Sequence, residues 1–359
     1  MLFRFISTIP PVKRSTGFPA VLMALILTFY PIILFGGCAS MGQQKSRDTA
    51  GFLGLRKSRP AFSRQQEISP SLEKYLDYYS LSFNRDKYWF GYIDVGDYHC
   101  AAHLSLPEGE SKGTVLLVHG FLSHFGFFQD LIPLLLENGW GVAGIDLPGH
   151  GLSSGIPTHI DDFADYGAAV AALSRAIAPT APRPFAAVGH SMGCAALLEY
   201  RLNRGESIRD YIFVAPLVRS TMYGLSQFGF AIFNPLIKTL PRMYQKTSSD
   251  LEYLDFQENR DPLQHDAIQP SWVRALFSWN SKIEETRLPA MDLSIIQGDQ
   301  DKVVDYSYNL KFYADQLEGV RIFNIPGGRH ELLKEIEPLK SMTFEYILSV
   351  LNGREPKHE

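Results

Sequence analysis

The stretch that decides the fold is Ala187-Val188-Gly189-His190-Ser191-Met192-Gly193. It follows the pattern Gly-x-Ser-x-Gly, with an apolar run before it and a helix-forming run over residues 194–202 behind it. A strand, a tight turn and a helix in this order predict a nucleophile elbow at Ser191. The serine of such a turn has a strained backbone, and residues without a Cβ on either side let strand and helix pack closely. Its hydroxyl then lies at a helix N-terminus, where free N–H groups stabilise negative charge.

Outward from this turn, strand-like and helix-like runs alternate along the chain. The run over residues 115–118 is continuously apolar, which is typical of a strand buried on both faces of a parallel sheet. The alternation predicts an α/β fold with a mostly parallel eight-stranded sheet, helices on both faces and an antiparallel hairpin at its start. The eight predicted strands cover residues 88–95, 98–106, 113–119, 141–146, 184–189, 208–215, 291–297 and 320–325.

The alternation stops over residues 216–288, which we predict to be a helical cap inserted over the site. Residues 220–237 carry no charge, but two glycines and an Asn-Pro pair interrupt them, which argues against a membrane span. If the following stretch is helical, Lys238, Arg242 and Lys246 share one face. That face is either solvated or in contact with anionic head groups.

A nucleophilic serine needs a base, and the base needs a group that orients it. Two acids, Asp299 and Asp301, follow the strand predicted over residues 291–297. His330 lies on a glycine-rich loop behind the last predicted strand. The chain order serine, acid, histidine and the position of each after a strand predict Ser191, His330 and one of the two acids as a catalytic triad.

A tetrahedral intermediate also needs N–H donors for its oxyanion. The residue after the nucleophile supplies one, which is the backbone N–H of Met192. The second comes from the loop after the 113–119 strand, where Gly120 lets the backbone approach the substrate. We therefore expect the N–H of Phe121 to be the second donor, and His119 to be a hydrogen-bonded structural residue.

Composition narrows the remaining possibilities. The chain has 359 residues and a net charge of −4, and it has no cluster of basic residues, so we expect no nucleic-acid partner. Its three cysteines suit neither a disulfide framework nor a zinc site. His99 and His103 face the same way on a predicted strand, but two polar residues on one strand face are the better interpretation. We expect no metal and no cofactor.

The N-terminus predicts export. Three basic residues and no acid precede an uncharged segment over residues 18–37, as in a signal peptide. Its end, Leu34-Phe35-Gly36-Gly37-Cys38, resembles a bacterial lipobox. The resemblance implies cleavage after residue 37, lipid on Cys38 and, because Ala39 follows, sorting to the outer membrane. The alternative is an uncleaved signal anchor. Residues 38–67 read as a membrane tether, and residues 68–353 as the folded domain.

Five motifs together resemble the monoacylglycerol lipase and lysophospholipase group of α/β-hydrolases. They are His119-Gly120 with His124 and Gly126, the loop Asp146 to Ser153, Gly189 to Gly193, Gly298 with Asp301, and Arg329-His330-Glu331. The resemblance favours Asp301 over Asp299 as the acid of the triad. It implies the α/β-hydrolase fold, cleavage of single-chain acyl esters under a cap, and no metal or cofactor. The chain departs from the group at Leu122-Ser123, Pro148 and Cys194, and the resemblance places the first of these on the loop near the glycerol or acyl pocket.

The resemblance leaves the substrate open. A lipid tether and an apolar cap favour an acyl-lipid substrate at a membrane, either a monoacylglycerol or a lysophospholipid. Related members of the fold are short-chain esterases and serine aminopeptidases. An aminopeptidase needs acidic residues for a free amine, for which the cap offers Glu252, Asp255, Glu258, Glu284 and Glu285. A lipoprotein that binds without catalysis is the remaining alternative.

Overall fold

A computed structural model describes residues 51–233 and 238–353 of the chain. The predicted signal peptide over residues 1–37 and Cys38 lie outside the described residues, as does the first part of the predicted tether. Along residues 51–233 and 238–353, no helix is both long and apolar enough to cross a bilayer.

The core is a nine-stranded sheet in the order β1-β2-β3-β5-β4-β6-β7-β10-β11. The first three strands and the β3–β5 pair are antiparallel, and all other pairs are parallel. The predicted eight strands are present, and β1 adds a ninth. The strands are β1 Ser63–Arg64, β2 Tyr88–Val95, β3 Tyr98–Ser105, β4 Gly113–Val118, β5 Trp140–Ile145, β6 Phe185–His190, β7 Ile208–Val214, β10 Asp292–Gly298 and β11 Arg321–Ile325.

Strand β1 shows that the predicted tether ends too late. Ser63 and Arg64 pair with β2, and Phe52 and Leu55 are buried against the body. Residues 51–67 therefore belong to the folded domain, and the predicted start at residue 68 is wrong. The tether prediction rested on the mixed polar composition of this segment, but two of its apolar side chains anchor it to the body.

Helices cover both faces of the sheet, as predicted. Two buried apolar clusters, one on each face, surround the strands. Strands β4 to β6 lie between them with every residue buried, which is why these strands are predominantly apolar. The helices outside the cap are α1 Gly54–Ser58, α2 Pro70–Tyr78, α3 Leu131–Glu137, α4 Ala164–Ile177, α5 Met192–Leu202, α9 Tyr306–Gln316 and α10 Leu339–Leu351.

Within the insertion over residues 216–288, a π-helical turn spans Phe256–Arg260. The described residues of the insertion also form three α-helices and a short antiparallel ribbon. They are α6 Tyr223–Phe233, β8 Leu240–Pro241, α7 Leu251–Asp255, β9 Ala267–Ile268 and α8 Pro270–Glu285. Helix α8 is anchored to α5 through Glu199, a fully buried carboxylate that accepts from Trp279 Nε1 at 3.0 Å and from Lys282 Nζ at 2.8 Å. The chain around Arg242 forms the ribbon and the extended segment after it, and not a helix. The prediction that three basic residues share one helix face is therefore wrong.

Candidate active site

Ser191 lies in the turn between β6 and α5, as the elbow requires. Its backbone has φ 51° and ψ −114°, a conformation that L-residues rarely adopt. Gly193 explains how the turn closes: a Cβ there would lie 2.0 Å from the carbonyl oxygen of Val118. A Cβ on Gly189 would lie 2.8 Å from Leu197 and 2.9 Å from the backbone of Cys194. The two glycines of the motif are therefore required by close packing.

Cys194 occupies a position where the related group often has glycine. Its side chain is fully buried, and Sγ donates to the carbonyl oxygen of Gly189 at 3.1 Å. Burial raises the pKa of the thiol well above its usual value, so the group stays protonated. The thiol thus occupies space inside the elbow and bonds its backbone, and the strand and helix still pack closely.

Of the two predicted acids, Asp301 is the one that contacts His330. Its Oδ2 lies 2.8 Å from Nδ1 of His330, while its Oδ1 accepts from the N–H groups of Val303 and Val304 at 2.8 and 3.2 Å. Asp299 has a different role, since its Oδ1 accepts from the N–H of Gly327 at 2.8 Å. The structure therefore brings Asp301 to the histidine and leaves Asp299 as a support for the loop.

His330 joins the acid to the serine. Its Nε2 lies 3.0 Å from Ser191 Oγ, and all three side chains are buried. Burial lowers the pKa of His330, but the charge of Asp301 and the hydrogen bond to it outweigh that effect, so the pKa is raised. Burial raises the pKa of Asp301, but the charge of His330 and the hydrogen bond to it lower that pKa, and the net shift is downward. With Nδ1–H donating to the carboxylate, Nε2 is free to accept the serine proton.

The two predicted oxyanion donors are the N–H of Met192, which begins α5 directly after Ser191, and the N–H of Phe121, which follows Gly120. Among the described residues, no acceptor binds the N–H of Phe121 or the N–H of Met192. The loop that carries Phe121 packs tightly on the turn, because a Cβ on Gly120 would lie 3.2 Å from the Cβ of Ser191. Two unpaired N–H groups beside a serine hydroxyl can stabilise a negative oxygen.

Two histidines support this site through hydrogen bonds, His119 as the structural residue that the sequence predicts and His190 in a role that the sequence did not predict. His119 Nδ1 donates to the carbonyl oxygen of Gly120 at 2.8 Å, and its Nε2 accepts from the N–H of Leu147 at 2.9 Å. His190 Nε2 donates to the carbonyl oxygen of His330 at 3.1 Å. The motifs contain both residues, but their distant partners, Leu147 and His330, lie on loops that follow other strands. The only available signal was that each is adjacent to a predicted site residue.

The predicted structural interpretation of His99 and His103 also agrees with their contacts. His99 Nδ1 lies 2.7 Å from an oxygen of Asp94, whereas His103 is buried with Nδ1 at 2.8 Å from the hydroxyl of Tyr88. In the described parts of the chain, no group of three or more His, Cys, Asp or Glu side chains is arranged to hold a metal ion.

A narrow cleft separates the cap from the loop that follows β4. Its walls combine aromatic and polar side chains, which are Tyr79, Ser123, His124, Phe127, Gln129, Tyr253, Phe256, Gln257, Asp261, Gln264 and Lys334. Asp261 closes one wall: its carboxylate binds the hydroxyl of Tyr79 at 2.7 Å and Nε2 of His124 at 3.0 Å.

None of the five cap acids predicted to bind a free amine lines this cleft. Arg219 holds Glu284 through two hydrogen bonds of 2.6 and 2.8 Å, and Arg260 holds Asp255 at 3.0 Å. The other three acids, Glu252, Glu258 and Glu285, are exposed. The structure therefore does not gather these acids into a site for a free amine.

Comparison with known proteins gives a family match over residues 109–337, more than half of the chain. The matching family is Hydrolase_4, described as serine aminopeptidase, S33. A monoacylglycerol lipase of Mycolicibacterium smegmatis is 25% identical over 260 residues, which cover 68% of this chain and 91% of that protein. Phospholipase YtpA of Bacillus subtilis is 24% identical over 237 residues, which cover 62% of this chain and 89% of that protein.

Solved structures agree on the fold. A soluble variant of monoglyceride lipase from Saccharomyces cerevisiae, in complex with a substrate analog, superposes with a TM-score of 0.63 at 22% identity. The match covers 73% of this chain and 94% of that one. At this level of identity the likeness shows the α/β-hydrolase fold alone.

Proposed function

We propose that this chain, which belongs to the Hydrolase_4 family of serine hydrolases, cleaves carboxylic esters of acyl lipids at a membrane surface. Ser191, His330 and Asp301 are the proposed catalytic triad. The observation that carries the proposal is the continuous hydrogen-bonded chain from Ser191 Oγ through the imidazole to the carboxylate, with distances of 3.0 and 2.8 Å. This is the arrangement that activates a serine for acyl transfer.

In the first half of the reaction, Ser191 Oγ attacks the acyl carbonyl while His330 Nε2 takes the hydroxyl proton. The carboxylate of Asp301 holds the ring by Nδ1–H and stabilises the imidazolium that forms. The N–H groups of Phe121 and Met192 bind the oxyanion of the tetrahedral intermediate. His330 then donates its proton to the leaving alcohol, which leaves an acyl-enzyme on Ser191.

In the second half, water replaces the alcohol. His330 removes a proton from the water as it attacks the acyl-enzyme, and the same two N–H groups bind the second oxyanion. The proton returns to Ser191 Oγ as the acid leaves. Every group that moves a proton or stabilises charge in this scheme belongs to the chain itself.

An acyl-lipid substrate is favoured by the relatives and by the cap. The two relatives described above are named monoacylglycerol lipase and phospholipase. The cap exposes large apolar side chains at Met222, Leu225 and Ile232, all at or in helix α6. Exposed apolar surface of this kind suits contact with acyl chains. We propose monoacylglycerols or lysophospholipids as the substrate class.

A substrate panel tests this function. The purified protein is assayed with monoacylglycerols, lysophospholipids, short p-nitrophenyl esters and aminoacyl anilides. We expect the acyl lipids to give the highest kcat/KM. Faster turnover of the anilides would instead identify an aminopeptidase, and turnover of short esters alone would identify an esterase.

A labelling experiment tests the nucleophile. A fluorophosphonate probe should label the wild-type protein covalently, and Ser191→Ala should abolish both labelling and turnover while the protein stays folded. Labelling that persists in Ser191→Ala, or no labelling of the wild type, would overturn the assignment of Ser191 as the nucleophile.

We also propose that the chain is exported and held on the outer membrane by lipid on Cys38. The support is the sequence: a basic segment, an uncharged apolar segment and a lipobox-like ending. Two or three acyl chains bind a bilayer stably, whereas one is marginal. Cells fed a labelled fatty acid should incorporate label into the wild type and not into Cys38→Ser. A wild type without label would favour an uncleaved signal anchor, and a labelled Cys38→Ser chain would contradict Cys38 as the site of the lipid.

A further inference from the structure

The loop that carries His330 is held on both sides of the histidine. The peptide N–H of Glu331 donates to the carbonyl oxygen of Thr247 at 2.9 Å, and Thr247 belongs to the cap. The peptide N–H of Arg329 donates to Oε1 of Glu335 at 3.0 Å. The backbone on either side of the histidine is therefore fixed by partners outside the glycine-rich loop.

Glu335 connects this loop to the cap. Its second oxygen, Oε2, accepts from the N–H of Ser249 in the cap at 2.9 Å. The side chain is fully buried. A carboxylate has two oxygens that accept hydrogen bonds, so one side chain can bind two backbone segments at once. In a buried setting such bonds are strong, and an N–H that loses its partner is costly.

A second contact joins the same two segments. The hydroxyl of Ser248 donates to the carbonyl oxygen of Lys334 at 2.7 Å and accepts from the N–H of Asp250 at 2.9 Å. Asp250 in turn caps helix α7 through the N–H groups of Glu252 and Tyr253. Residues 247–250 are therefore continuous with the cap helix whose Tyr253 lines the cleft.

We infer that Glu335 is a positioning residue that couples the placement of the cap to the alignment of His330. The inference rests on the proposed function, because it takes His330 as the base. The ring of His330 has to stay within hydrogen-bond distance of both Ser191 and Asp301, and a misplacement of about 1 Å can cost about 100-fold in rate. A cap held to the histidine loop by Glu335 places the base correctly only when the cap itself is seated.

Two substitutions test this role. Glu335→Gln has one acceptor oxygen, and its amide N–H₂ faces one of the two backbone donors. Glu335→Asp keeps the charge, but it is shorter by one methylene and does not span Arg329 and Ser249. We expect kcat per fluorophosphonate-titrated site to fall about 10- to 100-fold in both variants, with KM within about threefold of wild type. Glu345→Gln, an exposed carboxylate on α10, is the matched control and should leave kcat unchanged.

Titration of active sites separates positioning from folding. A purely structural role would lower the Tm and the number of titrated sites and leave kcat per site unchanged. Wild-type kcat per site in either Glu335 variant would therefore overturn the inference.

Ser248→Ala supplies a second, milder variant. It removes the bond from the cap to Lys334 and leaves Glu335 intact, so it remains informative if the Glu335 variants do not fold. We expect it to lower kcat per site about threefold to tenfold, and to add little further loss in the double variant with Glu335→Gln. An unchanged kcat in Ser248→Ala, or effects that multiply independently in the double variant, would count against the coupling.

The rate of fluorophosphonate labelling separates this inference from the proposed substrate. That rate depends on the alignment of His330 with Ser191 and needs no ester. A wild type that labels rapidly but cleaves no acyl lipid contradicts the substrate proposal alone. Variants at Glu335 that label at the wild-type rate contradict the positioning role alone. A wild type that does not label contradicts both.

Discussion

The serine elbow and the histidine loop meet at one hydrogen bond, but they are held in different ways. Ser191 is fixed by close packing of the turn, because Gly189 lies against Leu197 and Cys194 of the following helix and Gly193 lies against Val118 of strand β4. The loop of His330 is held by hydrogen bonds, with His190 and Thr247 from distant segments and with the side chain of Glu335. The elbow therefore depends on close packing at one strand–helix junction, and the loop depends on hydrogen bonds that include one to the cap.

The two regions should fail differently when they are altered. A substitution at the elbow disturbs packing, so it should lower the free energy of unfolding. A substitution at the histidine loop changes alignment or charge, so it should lower kcat in a protein that still folds.

The largest effect is expected on the histidine side, from Asp301→Asn. The amide no longer orients the neutral ring correctly or stabilises the imidazolium, so we expect kcat/KM to fall about 10⁴-fold. Asp299→Asn is the matched control, since Asp299 accepts from the N–H of Gly327 and from the amide of Gln300, whereas Asp301 is the acid that contacts the imidazole. Steady-state kinetics on a p-nitrophenyl ester compares the two. Equal losses would show that the acid of the site had been assigned wrongly.

A smaller but still severe effect is expected at the elbow, from Gly193→Ala. A Cβ 2.0 Å from the carbonyl oxygen of Val118 forces the strand and helix apart. We expect a loss of about 3 kcal/mol or more in the free energy of unfolding, measured by denaturant titration. Gly224→Ala in α6 is the control, because its Cβ meets nothing within 4 Å. It should be neutral or stabilising by up to about 1 kcal/mol. A Gly193→Ala protein as stable as the control would show that close packing does not define the elbow.

A substitution of His119 should have a smaller effect than either of these two changes. Its Nδ1–H fixes the Gly120 carbonyl, which shares a peptide plane with the N–H of Phe121. Burial holds the pKa of His119 well below its usual value, so the ring is neutral and Nε2 accepts from Leu147. His119→Asn is too short to hold both partners, and we expect kcat to fall about 10-fold with KM unchanged. A rise in KM alone would place His119 in substrate binding instead.

The smallest effect concerns pH. His330 must be neutral to accept the serine proton, and its raised pKa means that activity is lost as pH falls through a value above the ordinary one of about 6.5. The charge of Glu331 contributes to raising that pKa. Glu331→Gln should therefore move the acid limb of kcat/KM to lower pH, with Glu345→Gln as the control. A limb that stays in place, or moves to higher pH, would contradict this electrostatic account.

Much of the site could be predicted because its signals are local. The elbow motif, Gly120 and the order of acid and histidine after their strands each depend on a few adjacent residues. The start of the folded domain was missed because Phe52 and Leu55 lie in a polar segment that shows no periodicity. The ninth strand was missed for a similar reason, since Ser63–Arg64 is two exposed residues that pair with β2 at an edge of the sheet.

The sequence by itself determined the alternation of strands and helices, the elbow at Ser191 and the candidates for its partners, because backbone sterics and hydrophobic periodicity act between near neighbours. Only the tertiary structure decided that Asp301 rather than Asp299 contacts the histidine, that Cys194 fits inside the elbow, and that Glu335 joins the cap to the loop of His330. These depend on which buried donor meets which acceptor across long separations in the chain. Any of several acids, hydroxyls or carbonyl groups could serve such a donor, and the folded geometry selects among them.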